Sequence, residues 1–197
     1  KLPIKFLKLG KNDMKYNKVR GPLNSLLILD LTRVLAGPYA TMVLSDLGAR
    51  VIKIEPPEGD DSRNFGPFIG KKSTYFSSLN RDKESITLNL KVEKEKKIFL
   101  KLLKHADVLV ENYRPGTLEK LGISSKSLLK KFPNLIIASC SGFGQTGPWA
   151  KKPAYDVIVQ ALGGIMSLTG YENQDPVRVG SSIGDICAGL FTTIGIQ

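Results

Sequence analysis

The stretch LLILDLTRVLAGPYATMVLSDLGARVIKIE, residues 26–55, decides how this chain folds. Its two ends, Leu26 to Leu31 and Ala49 to Glu55, are short apolar runs bounded by turn residues, the pattern of buried strands. Between them Thr32 to Gly37 makes a turn, and Pro38 takes a first-turn position where a missing N–H is tolerated. Tyr39 to Leu47 is then the body of a helix that Gly48 ends. Strand, helix and strand at this spacing form a βαβ unit, whose strands lie parallel.

Downstream the pattern repeats. Pro56 to Lys72 is rich in Pro, Gly, Asp and Ser, which predicts a loop, and its unusual length makes it a candidate binding loop. Glu84 to Leu90 alternates like a strand. Val92 to Lys104 is an amphipathic helix, with Ile98, Phe99, Leu102 and Leu103 on one face and a solvated set of Lys94, Lys97, Lys101 and Lys104 on the other. Ala106 to Glu111 and Leu135 to Ser141 are further strands, with short helices at Thr117 to Leu121 and Ser124 to Phe132 between them. Apolar strands separated by helices predict an α/β fold with a parallel sheet covered on both faces. Ligands of such sheets bind beyond the carboxyl ends of the strands, here at Thr32 to Gly37, Glu55 to Gly66, Asn112 to Gly116 and Gly142 to Pro148.

Composition narrows the partners. With 197 residues, 42% hydrophobic and 24% charged, the chain suits one globular domain, and no apolar run reaches membrane-spanning length. A net charge of +11 admits nucleic acid, an anionic surface or a polyanionic small molecule. Much of that excess lies in Lys1, Lys5, Lys8, Lys11, Lys15, Lys18 and Arg20, opposed only by Asp13. Residues 1–23 are therefore read as a basic extension, either a tail or the end of a mitochondrial targeting segment, ahead of a domain over residues 24–197. Cys140 and Cys187 give neither a disulfide framework nor metal-ligand spacing, so no metal is expected and a reducing compartment is: the cytoplasm, with the mitochondrial matrix as alternative. The run Cys187 to Ile196 ends without a cap, and the chain is read as the first part of a longer one.

Two acids stand out. Asp156 opens the apolar run Val157 to Val159 ahead of Gly163 and Gly164, and Asp185 lies among Gly184, Ile186, Cys187, Ala188 and Gly189. Either is readable as a helix cap or as a working acid held where water is scarce. Gly142 to Gly147 matches G-x-G-x-x-G, but Pro148 and Pro153 prevent the helix that a dinucleotide site requires, which leaves a ligand-side turn. His105, the only histidine, is a helix-end residue, Asp60 and Asp61 fit a turn, and Trp149 and Tyr155 are expected to pack near the acids.

Taken together, residues 29–38, 47–55, 110–116, 142–148 and Tyr155-Asp156 resemble the family III CoA-transferases, over about residues 24–197. Within that family the succinyl-CoA:dicarboxylate enzymes look most similar. The resemblance implies a Rossmann-like parallel sheet with helices on both faces, the incomplete large domain of such an enzyme, with a smaller second domain outside this chain and an interlocked homodimer. It also implies transfer of CoA between an acyl-CoA thioester and a carboxylic acid, with CoA as substrate and no tightly bound cofactor. Asp185 then falls on the covalent nucleophile and Asp156 on an assisting acid. CoA contacts fall on Leu35, Ala36, Leu88, Asn89, Leu90, Lys91, Asn112, Tyr113, Arg114 and Lys120. A family member carries Arg where this chain has Pro56 and Lys120, so the phosphate grip is expected to differ, Lys being a point charge rather than a fork.

A carboxylate is already ionised at neutral pH and attacks a thioester without a base. Backbone N–H groups around Gly163, Gly164 and Gly180 to Gly184 are candidate oxyanion donors. A 2-methylacyl-CoA racemase of the same fold is the alternative enzyme, disfavoured by a single distant histidine. Nucleic-acid binding rests on charge alone, without a recognition helix or an aromatic-and-glycine signature.

Overall fold

The computed structural model describes residues 21–197. β1 (Leu27–Asp30) and α1 (Ala36–Asp46) lead into β2 (Arg50–Glu55). A 3-10 turn at Asp61–Asn64, the hairpin of β3 (Phe68–Ile69) and β4 (Lys72–Ser73), and α2 (Thr74–Leu79) then connect to β5 (Glu84–Thr87). After α3 (Glu93–Leu103) come β6 (Val108–Glu111), α4 (Thr117–Lys120), α5 (Ser125–Lys131) and β7 (Ile136–Ser139). The chain continues through α6 (Asp156–Leu162), a 3-10 turn at Ile165–Leu168 and α7 (Ile183–Ile196).

The sheet runs β5-β2-β1-β6-β7 with every pairing parallel. The chain therefore starts in the middle, builds outward through β2 to β5, and crosses to the other side for β6 and β7. That reversal sets a topological switch point between β1 and β6, where the loops leaving two adjacent strands diverge and open a crevice. Central strands read as continuous apolar runs because both faces are covered: Ile28, Leu29, Leu109 and Val110 are wholly buried. One face packs Leu29, Ile52, Ile54 and Leu109 against Phe99 and Leu103 of α3 and against Leu118 and Leu128. The opposite face sets Ile28, Val51, Val108 and Val110 against Leu44 of α1 and Ile196 of α7. Burying Phe99 alone is worth roughly 2–3 kcal/mol.

Two expectations change. Pro56 to Lys72 is not a bare loop, since it holds the 3-10 turn and the β3–β4 hairpin, and α2 follows where no element was expected. The helix is capped by Ser73, whose hydroxyl accepts from the Phe76 N–H at 3.0 Å. Six residues are too few for an apolar period to show. The strand expected over Glu84 to Leu90 ends at Thr87, beyond which Leu88 and Leu90 both turn into the main core.

One close approach fixes the helix that carries Asp185. α7 crosses α1 at Gly189, where an added Cβ would stand 2.7 Å from the Ala36 carbonyl oxygen and 3.0 Å from the Tyr39 ring. Below that contact the Thr193 hydroxyl donates to the Ala40 carbonyl at 3.2 Å. Glycine at 189 thus lets the middle of α7 lie against the start of α1.

Candidate active site

The loop after β1 lines the crevice at the switch point. Leu35 and Ala36 are half-buried at its end, Ala36 being the first residue of α1. Behind them Gly37 has no room for a side chain, since a Cβ there would meet the Thr32 side chain at 2.4 Å and Asn112 at 3.1 Å. Asn112, from the loop after β6, reaches across the crevice: its Oδ1 accepts the Arg33 N–H at 2.9 Å and its Nδ2 donates to the Arg33 carbonyl at 2.8 Å. Tyr113 is half-buried, and burial, above the surrounding charges, pushes its phenol up to about 12. Arg114, Lys91 and Lys120 are exposed.

Asp185 and Asp156 are brought together although 29 residues separate them. Asp156 is the first residue of α6, yet its side chain does not cap that helix. Its Oδ1 instead accepts the Gly184 N–H at 2.8 Å and lies 3.4 Å from the Asp185 N–H, while its Oδ2 accepts from Gln160 at 2.7 Å. It therefore serves as the missing N-terminal cap of α7, whose own N-cap residue, Ser182, makes no side-chain hydrogen bond. Asp185 occupies the first turn of α7, half-buried, where the helix dipole favours an anion. Among the described residues nothing donates a hydrogen bond to its carboxylate. Burial first, and the Asp156 charge second, raise its pKa above the ordinary carboxylate value. The result is an ionisable carboxylate that is weakly solvated and held in place through its own backbone.

Some of the expected contacts have other duties. The side chains of Leu88 and Leu90 belong to the core, which leaves only backbone there for a ligand. Asn89 is occupied as well, its N–H on Glu95 at 2.6 Å and its Oδ1 on the Lys91 N–H at 3.1 Å. The glycine N–H groups proposed as oxyanion donors are largely engaged: Gly163 with Val159, Gly164 with Ala161, and Gly184 with Asp156. Tyr155 does not pack near the acids, being 70% exposed, and Trp149 stacks edge-on with Phe143. His105 is exposed past the end of α3. Asp60 caps the 3-10 turn through the Ser62 N–H at 2.9 Å, in keeping with the turn reading. No group of three or more His, Cys, Asp or Glu suited to a metal occurs among the described residues.

Residues 23–197 match the model of CoA-transferase family III. The chain belongs to that family. It is 56% identical over 181 residues to an acetyl-CoA:oxalate CoA-transferase of Acetobacter aceti, covering 91% of this chain and 46% of that protein. It is 47% identical over 184 residues to a succinyl-CoA:glutarate CoA-transferase of Homo sapiens, covering 92% of this chain and 42% of the relative. A crystal structure of a CAIB/BAIF family protein from Brucella suis superposes with a TM-score of 0.87 at 42% identity, over 91% of this chain and 49% of that one. The chain spans about half the length of the curated relatives it matches. No helix among the described residues is long and apolar enough to cross a membrane.

This family III chain holds site features that pattern reading passed over. Tyr75, on the unexpected α2, is placed where its hydroxyl feels the Asp185 charge, which adds to burial in raising its pKa. Beneath the loop after β1 lies a set of buried charges: Asp30, Lys53, Glu55 and Asp60 are all at most 3% exposed. A signal for these did exist, because an acid inside LLILDL and a lysine inside VIKIE interrupt apolar runs and must find partners once buried.

Proposed function

We propose that the protein transfers CoA from an acyl-CoA thioester to a carboxylic acid, a dicarboxylate, through a covalent intermediate on Asp185. The observation that carries this reading is the setting of Asp185: a half-buried carboxylate that accepts no hydrogen bond from the described residues, in the first turn of a helix that meets Ala36 about one turn further on, at Gly189. The family and the relatives named for oxalate and glutarate support the substrate class.

In this reading the Asp185 carboxylate attacks the thioester carbonyl, forming a mixed anhydride and releasing CoA thiolate. The thiolate attacks the aspartyl carbonyl of the anhydride, which expels the donor acid and leaves an aspartyl-CoA thioester. The acceptor carboxylate attacks that thioester, giving a second anhydride and thiolate again. Attack of the thiolate on the acceptor carbonyl yields the new acyl-CoA and restores Asp185. Asp156 keeps the first turn of α7 in place throughout. Exposed Lys91, Arg114 and Lys120 offer cations to the CoA phosphates, and weakly solvating surroundings keep Asp185 nucleophilic. The remaining polypeptide and a second, interlocked subunit complete the acyl pocket, packing on exposed apolar side chains such as Leu168 and Phe191, which are 88% and 72% exposed here.

Mass spectrometry of the protein from its complete reading frame, mixed with succinyl-CoA without acceptor, tests this. A hydroxylamine-sensitive CoA adduct on the peptide containing Asp185 is expected, and Asp185→Ala should lose both adduct and turnover. Normal turnover in Asp185→Ala would remove the mechanism.

A further inference from the structure

Val34 adopts a left-handed backbone conformation with φ of 67°. For a β-branched residue this is a true outlier, and it persists only where surroundings enforce it. It lies immediately before Leu35 and Ala36, so the strain sits directly beside the residues assigned to CoA.

The surroundings that enforce it come from two separate loops. From beyond β2, the Asp60 Oδ1 accepts the Val34 N–H at 3.2 Å. Its Oδ2 pairs at 2.8 Å with Lys53, whose Nζ in turn donates to the Thr32 carbonyl at 2.8 Å. The buried pair thereby grips the turn on both sides of Arg33. From beyond β6, Asn112 holds the N–H and carbonyl of Arg33 itself. Arg33 adds an ion pair with Asp61, next to Asp60. Three consecutive residues, Thr32 to Val34, are thus tied by main-chain hydrogen bonds to side chains from outside the turn. A buried lysine and aspartate are costly to keep, and a pair of aliphatic residues would fill the same volume without that penalty. What aliphatics lack is the ability to hold N–H and carbonyl groups of a turn in a high-energy shape.

We propose that Asp60, with its partner Lys53, and Asn112 are positioning residues that force Val34 into the left-handed region and so set the backbone of Leu35 and Ala36 for acyl-CoA. This rests on the CoA-transferase reading. Asn112 then acts on the ligand through the turn, since both ends of its amide are engaged with Arg33.

The test uses Asn112, which is only half-buried, so that loss of the buried ion pair does not confuse the result. Binding of CoA by calorimetry, and steady-state kinetics with succinyl-CoA, are compared for the full-length protein and for Asn112→Ala, Val34→Gly and the double variant. Asn112→Ala should weaken CoA binding and raise KM by about tenfold with kcat changed less than about threefold, as expected for a lost ground-state binding element. Val34→Gly alone should change affinity less than about threefold. In the double variant, glycine visits the left-handed region without strain and should recover at least half of the lost affinity on a logarithmic scale. A direct contact between Asn112 and CoA would not be restored by a change at Val34. Wild-type affinity in Asn112→Ala, or a double variant no tighter than Asn112→Ala, overturns the proposal. Absence of CoA binding by the unaltered protein instead removes the CoA-transferase reading, and this inference with it.

Discussion

In the proposed mechanism Asp185 would owe its reactivity to what it lacks. Burial and the nearby Asp156 both oppose its ionisation, so its proton leaves at a higher pH than from an ordinary carboxyl group. If the ionised form attacks, as proposed, the profile of kcat/KM should fall as pH drops through this raised value, an acid limb lying above the ordinary 3.8. Asp156→Asn keeps an oxygen for the Gly184 N–H while removing the second negative charge. The limb should then move to lower pH, only part of the way, because burial is the larger cause and stays. An unmoved limb in that variant would show that the Asp156 charge does not reach the nucleophile. Both acids stand out in the sequence, but the cap reading of Asp156 points to α6, the helix it opens, whereas its side chain caps α7. The helix it caps, 28 residues away through Gly184, was not legible, because sequence reveals local caps only and this one needs the tertiary fold.

Among the elements, α1, α3 and the sheet strands were readable because their apolar periods are long enough to express. α2 was not, and with it went Tyr75. The crossing of α1 and α7 was equally hidden: a glycine within an apolar helix signals a close approach without saying to what. Its consequence can be measured. In Gly189→Ala the new methyl would meet the Ala36 carbonyl oxygen at 2.7 Å, a contact with backbone that only a shift of α7 relieves. Overpacking of this kind costs about 1–3 kcal/mol. Because the same helix carries Asp185 and the same carbonyl belongs to Ala36, turnover should fall by more than about tenfold in protein that still folds. Gly195→Ala, farther along α7 where a Cβ meets nothing within 4 Å, is the matched control and should cost little in either. Equal effects of the two substitutions on turnover would separate helix packing from site geometry and discard this account.

For the molecule as a whole, the switch point is held by charge as much as by apolar contact. Asp30, wholly buried at the end of the central strand, accepts from Thr41 of α1 at 2.7 Å and from Lys83, just before β5, at 3.1 Å. Burial alone would raise its pKa, but Lys83, Lys53 and the hydroxyls of Thr32 and Thr41 outweigh it and hold the carboxyl at about 2. Glu55 is likewise held at about 2, burial being overcome by Arg63, Ser85 and the Asp60 N–H. Both values lie below those of the unfolded chain, so the folded state binds fewer protons in the window between. The stabilisation is therefore complete above about pH 4.5 and is lost as pH falls toward 2, on the order of 2 kcal/mol from Asp30 alone. Urea unfolding followed from pH 5 to pH 3 should show the midpoint dropping steadily in the unaltered protein. Asp30→Asn should start several kcal/mol lower at pH 7, because it leaves Lys83 buried with less compensation, and should then lose less on acidification. Were both proteins to lose stability in parallel, the acid sensitivity would belong to other carboxylates, and Asp30 would owe its burial to packing rather than to its charge.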